Sequence, residues 1–129
     1  MHENDAIIEQ FKNKKIVTIK FDVESYGESS LVFTFSDGRK MRVFDGGQDC
    51  CESRYMHIDD DLSEFETGQF LGIEVKSVDV ADDDNESSGC CHEVQFVDIN
   101  TSRGPISIVN HNEHNGYYGG FRLAVAEIE

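Results

Sequence analysis

No run of about 18 apolar residues occurs anywhere in this chain, which excludes a membrane-spanning helix. The start, "MHENDAIIEQ", lacks the basic and then apolar pattern of a secretory signal. A cytosolic location follows as the expectation, and there the four cysteines should be thiols. The spacing Cys-x2–4-Cys, from which structural zinc sites usually draw two sulfurs, is absent. So are a glycine-rich phosphate loop, Gly-x-Ser-x-Gly and His-Glu-x-x-His. Lysine and arginine are scarce, eleven against twenty-six acids. Free nucleic acid is therefore a poor partner, because phosphates need bases. No domain linker or internal repeat is visible, and a chain of 129 residues reads as one domain, 1–129. That length buries roughly two thirds of its unfolded surface, so folding needs no disulfide or metal.

The net charge of −15 is unevenly spread. Residues 1–48 carry eight acids and seven bases, a net −1, whereas residues 49–129 carry eighteen acids and four bases, a net −14. Such a surface attracts a basic protein or a divalent cation. It also simply keeps a protein soluble.

The pattern of apolar residues gives the architecture. Ala6, Ile7, Ile8 and Phe11 recur at helical spacing, so a short amphipathic helix is expected over about 3–12, with Asn4 or Asp5 as its cap. The period then becomes two: Val17, Ile19, Phe21 and Val23 alternate with Thr18, Lys20 and Asp22 as a half-buried strand. "LVFTFSDGRKMRVF" is a hairpin. A three-residue loop, Ser36-Asp37-Gly38, pairs Phe33 with Met41 and Leu31 with Val43, whereas a two-residue loop sets Phe33 against Arg42. Hydrophobic matching selects the first register. Further strands are expected at Glu52–Ile58, Leu71–Val80, Glu93–Asn100, Ile106–His111 and Phe121–Ile128. Asp59-Asp60-Asp61 begins a short helix that Gly68 closes, and "ADDDNESSG" is an acidic loop. A four-residue loop from Thr101 to Gly104 pairs Ile99 with Ile106, and the only proline, Pro105, opens the strand that follows. The fold class is mainly β with a minor helical part. One short N-terminal helix precedes a β-rich body over about 15–128, an antiparallel curled sheet forming a sandwich or open barrel.

Two stretches exceed generic strand patterning: "DCCESRY", Asp49 to Tyr55, and "NHNEHNGYYGG", Asn110 to Gly120. Asp-Cys-Cys-Glu followed by Asn-Gly-Tyr-Tyr resembles a family of small uncharacterised proteins found mainly in bacteriophages and prophage-bearing bacteria. The resemblance spans roughly Met41 to Val125. It implies a phage or prophage setting, a bacterial host cytoplasm and a compact β-rich domain. It assigns no activity and no catalytic residue.

The chemistry of these stretches admits several readings. Cys50, Cys51, Cys90, Cys91, His57 and His92 form the candidate set for a metal, with zinc the thiolate and imidazole choice; His111 and His114 are also available. The bland reading makes one cysteine of each pair a small core residue. From Asp82, "DDDNESSGCCHE" sets acids at loop positions one, three, five and twelve, as a calcium loop does. The glycine needed at position six is Ser87, which weakens that match. A Cys–His nucleophile needs a positive field, and this half of the chain is acidic. The chain is therefore expected not to be an enzyme.

The expected function is binding. The contact residues are Asp49, Glu52, Asp59, Asp60, Asp61, Asn112, His114, Asn115, Tyr117 and Tyr118, with a tyrosine combining apolar area and a polar tip. The partner is a protein with a basic surface, and an inhibitor of a host nucleic-acid-binding or defence protein is the concrete version. The state is monomer or, through an edge strand, homodimer. No cofactor is expected. The alternatives are a zinc or calcium domain and a small-molecule-binding β domain.

Overall fold

A computed structural model of the chain describes residues 3–23, 29–46, 52–80, 91–114 and 121–128. Helix α1 (Glu3–Phe11) is followed by β1 (Ile16–Val23), β2 (Ser29–Phe35), β3 (Lys40–Asp45) and β4 (Glu52–Ile58). A 3-10 turn (Leu62–Phe65) leads to β5 (Phe70–Val80), β6 (Cys91–Thr101), β7 (Gly104–His114) and β8 (Leu123–Ile128). The strands form two antiparallel sheets that do not close into a barrel, in the orders β1-β2-β3-β8 and β4-β7-β6-β5. Of the expected architectures, the sandwich is the one formed, and each expected strand is present.

One core lies between the sheets. Ile19, Leu31, Phe33, Phe35, Met41, Val43 and Val125 face it from the first sheet, and Met56, Val97, Ile99, Ile106 and Ile108 from the second. Phe11 enters from α1, which packs against β8 and β5, the neighbouring edges of the two sheets. At another corner the sheets are tied through backbone: Ile16 N–H donates to Gly68 O at 2.8 Å and Thr67 N–H to Ile16 O at 2.9 Å.

The hairpin register follows hydrophobic matching. Phe33 pairs with Met41 and Leu31 with Val43, around a loop of Ser36, Asp37 and Gly38. Gly38 has a φ of +86° with nothing within 4 Å of a Cβ placed there, so only backbone strain opposes a side chain. Gly38→Ala should lose about 1–2 kcal/mol in urea denaturation, the penalty of the left-handed region. Ile99 pairs with Ile106 as expected, but the turn is tighter. Thr101 and Gly104 also pair, leaving only Ser102 and Arg103 in the loop.

Two expectations are corrected. In β1 the alternation is broken by a bulge between Ile16 and Thr18. Ile16 and Ile19 are buried, whereas Val17 is 46% and Phe21 41% exposed. A bulge inserts one residue, so Ile16 and Ile19 both face the core while Val17 does not; Phe21 keeps the phase of Ile19, and the bulge does not account for its exposure. Asn4 lies inside α1 and does not cap it. Its Nδ2 donates to Leu123 O at 2.6 Å, and its Oδ1 accepts from Val125 N–H at 3.0 Å. The amide thus satisfies one donor and one acceptor on the edge of β8. On the other edge of that sheet Glu66 satisfies a donor, accepting from Ile19 N–H at 3.1 Å. Edge strands covered in this way are poor templates for another chain.

Candidate binding site at the polar end of the sandwich

The inner face of the second sheet changes character along its length. In an antiparallel sheet, directly paired residues share a face. At one end Ile106 pairs with Ile99, and Ile99 with Ile73. Next come Ile58, Ile108 and Val97, then Met56, Asn110 and Gln95. The last inner row described with side chains is Arg54, Asn112 and Glu93. The interior therefore turns from branched aliphatic to polar.

Burial of polar groups requires partners. Asn110 Nδ2 donates to Gln95 Oε1 at 3.0 Å. Arg54 Nη1 donates to both carboxylate oxygens of Asp45, at 2.9 and 2.8 Å, with the side chains only 6% and 8% exposed. Asp45 comes from β3, so this ion pair joins the two sheets. It also accepts from Arg122 N–H at 3.1 Å, just before β8.

Topology makes this end distinctive. Val23 and Ser29, Asp45 and Glu52, Val80 and Cys91, and His114 and Leu123 are consecutive strand ends, and all lie at the polar end. At the opposite end the β6–β7 turn and the β2–β3 turn are short. The β4–β5 connection there holds the 3-10 turn. Rigid strands with long connections at one end are a common way to build a binding surface.

The outer face of the same end carries an imidazole and tyrosine patch. Tyr55 pairs with His111 across β4 and β7, and their rings stack at 4.5 Å and 7°. Tyr55 Oη donates to Glu113 at 2.7 Å. His92 Nε2 lies 2.9 Å from His111 Nδ1. His57 meets His111 edge-on at 6.4 Å, and its Nε2 is 2.7 Å from Asp59. Burial holds the His111 imidazole below its ordinary pKa, and His92 and His57 push the same way, while Glu113 opposes them.

The expected site residues separate into groups. Asp59, Asp60 and Asp61 lie at the far end of β4 from Glu52. Each has a local contact: Asp59 with His57, Asp60 accepting from Ser107 N–H at 2.8 Å, and Asp61 capping the 3-10 turn through Ser63 N–H at 3.1 Å. Asn112 is fully buried on the inner face, so as an exposed contact residue it is corrected. Glu52 and Cys91 both pair with His114 through backbone, bringing the described edges of the two sequence motifs together. His57 and His92 share the outer face. Asp49, Cys50, Cys51, Cys90, Asn115, Tyr117 and Tyr118, and most of the calcium-like loop, lie outside the described residues. Among the described residues, no three His, Cys, Asp or Glu side chains are placed to hold a metal ion.

Sequence reasoning missed Asp45, Arg54, Glu93, Gln95 and Asn110. The signal was phase: Asn110 and Asn112 continue the two-residue period of Ile106 and Ile108 and so had to face inward.

Fold and site together define a small two-sheet antiparallel β domain with a polar open end. The chain belongs to the family described as "Domain of unknown function (DUF7448)", whose model matches residues 9–123. That span includes the first hairpin, and so is wider than the stretch marked by the two motifs. No curated protein and no solved structure matches the chain significantly. No helix among the described residues is long and apolar enough to cross a membrane.

Proposed function

We propose that this protein is a small acidic accessory protein of phage or prophage type that binds a protein with a basic surface. In its concrete form it covers the nucleic-acid groove of a host defence enzyme, with carboxylates standing in for phosphates. The phage setting rests on the motif resemblance alone. The observation that carries the binding reading is the placement of strand ends. Segments 24–28, 46–51, 81–90 and 115–122 all connect strand ends at the polar end. Together they contain seven acids, Glu24, Glu28, Asp49, Asp82, Asp83, Asp84 and Glu86, against one base, Arg122. Charge of one sign on one end steers a partner of the other sign.

The test is retention of host proteins on the immobilised chain. A nucleic-acid-binding protein should be held at about 50 mM salt and released near 0.5 M, as screening shortens the reach of charge. Double-stranded DNA added at low salt should release the same protein. The variant Asp82→Lys, Asp83→Lys, Asp84→Lys should lose retention while keeping its circular dichroism. Retention that ignores salt, DNA and charge reversal would sink the proposal.

A further inference from the structure

The histidines on the outer face of the second sheet stand apart from the acidic connections. We propose that His92 and His111 form a two-imidazole chelate for a late first-row divalent cation of the Ni2+ or Zn2+ kind, with water completing the shell. The geometry is the first argument. At a metal–nitrogen distance of about 2.0–2.1 Å, two ligands at right angles stand about 2.9 Å apart, and two tetrahedral ligands about 3.4 Å. His92 Nε2 and His111 Nδ1 are 2.9 Å apart. The right-angled arrangement suits octahedral or square ions, so Ni2+ is the natural probe.

Pre-organisation is the second argument. The two histidines sit on adjacent strands, His92 opposite Glu113 and His111 opposite Val94, so they are diagonal neighbours on one face. The His111 ring is held by its stack on Tyr55, and Tyr55 in turn by Glu113. Binding asks the two rings to turn from each other to the ion, and their diagonal placement keeps both nitrogens within its reach.

Proton balance is simple. In the metal-free pair one imidazole donates its N–H to the other. On binding, that ring moves its proton to its other nitrogen through solvent, and both facing lone pairs turn to the ion. Among the described residues no third ligand converges on the pair. His57, edge-on to His111, lies beside the open positions.

The experiment is calorimetric titration of Ni2+ into untagged chain under a non-thiol reductant, with matched nuclear magnetic resonance spectra. One Ni2+ per chain is expected. Substoichiometric Ni2+ should broaden the ring signals of His92 and His111 before those of His57, His114 and His2. His92→Asn and His111→Asn should each weaken binding about tenfold or more, at least what loss of an outer-shell partner does. A chain with Cys50, Cys51, Cys90 and Cys91 all changed to Ser should bind as before. The proposal is overturned by absent binding, by broadening that starts elsewhere, by unaffected histidine variants, or by loss of binding with the thiols. The spectra of unaltered protein decide the matter even if a histidine variant unfolds.

Discussion

Asp45→Ala destabilises the domain by about 3–5 kcal/mol in urea denaturation, the usual result of stripping one partner from a buried ion pair. Arg54 then loses the carboxylate that accepts two bonds from its Nη1. The loss reaches beyond one contact. Asp45 joins β3 to β4 of the other sheet and to the backbone of Arg122 at the approach to β8. The companion measurement is the double variant Asp45→Leu, Arg54→Met. It should recover most of the loss, because an apolar pair of similar volume needs no desolvation of charge. If the single variant is as stable as the parent, the pair is not buried in solution.

Phe35→Ala should lose about 3–5 kcal/mol, the range for deleting a large aromatic from a packed core. Phe35 is 1% exposed and stands at the centre of four rings. It stacks on Phe11 at 4.9 Å and Phe33 at 6.3 Å, and meets Phe70 edge-on at 6.2 Å. These neighbours belong to α1, β2 and β5, so one side chain couples the helix to both sheets. Phe35→Leu keeps apolar volume and should lose clearly less. Domains of this size are stable by only about 5–15 kcal/mol, so the alanine change consumes much of that margin. Equal effects of alanine and leucine would show that the ring itself, and not apolar volume, carries the loss.

How much of this was legible beforehand depended on range. The β2–β3 register was readable because its two strands are joined by three residues, and a slip would set Phe33 against Arg42. The β6–β7 register was readable for the same reason. The phase of β1 was not, since the bulge after Ile16 leaves no local mark in an alternating run. The pairing of β4 with β7 joins segments some fifty residues apart, and nothing local specifies it. The stack of Tyr55 on His111 and the contact of His92 with His111 depend on such pairings, so the patch was invisible although each residue was in view. Asn4 misled for a different reason. Its amide suits a helix cap, but β8 offered it an edge donor and an edge acceptor 121 and 119 residues away.

That last contact bears on how the chain is made. β8 is the final strand to leave the ribosome, and both of its neighbours, β3 and Asn4, are synthesised long before it. At about 5–20 residues per second, β3 carries an open hydrogen-bonding edge for seconds while β4 to β7 are still being added. β4 waits in the same way for β7. Folding of this domain therefore closes through distant contacts, and such topologies fold slowly. Loss of this six-residue strand leaves β3 with an open edge, the kind that pairs with another chain.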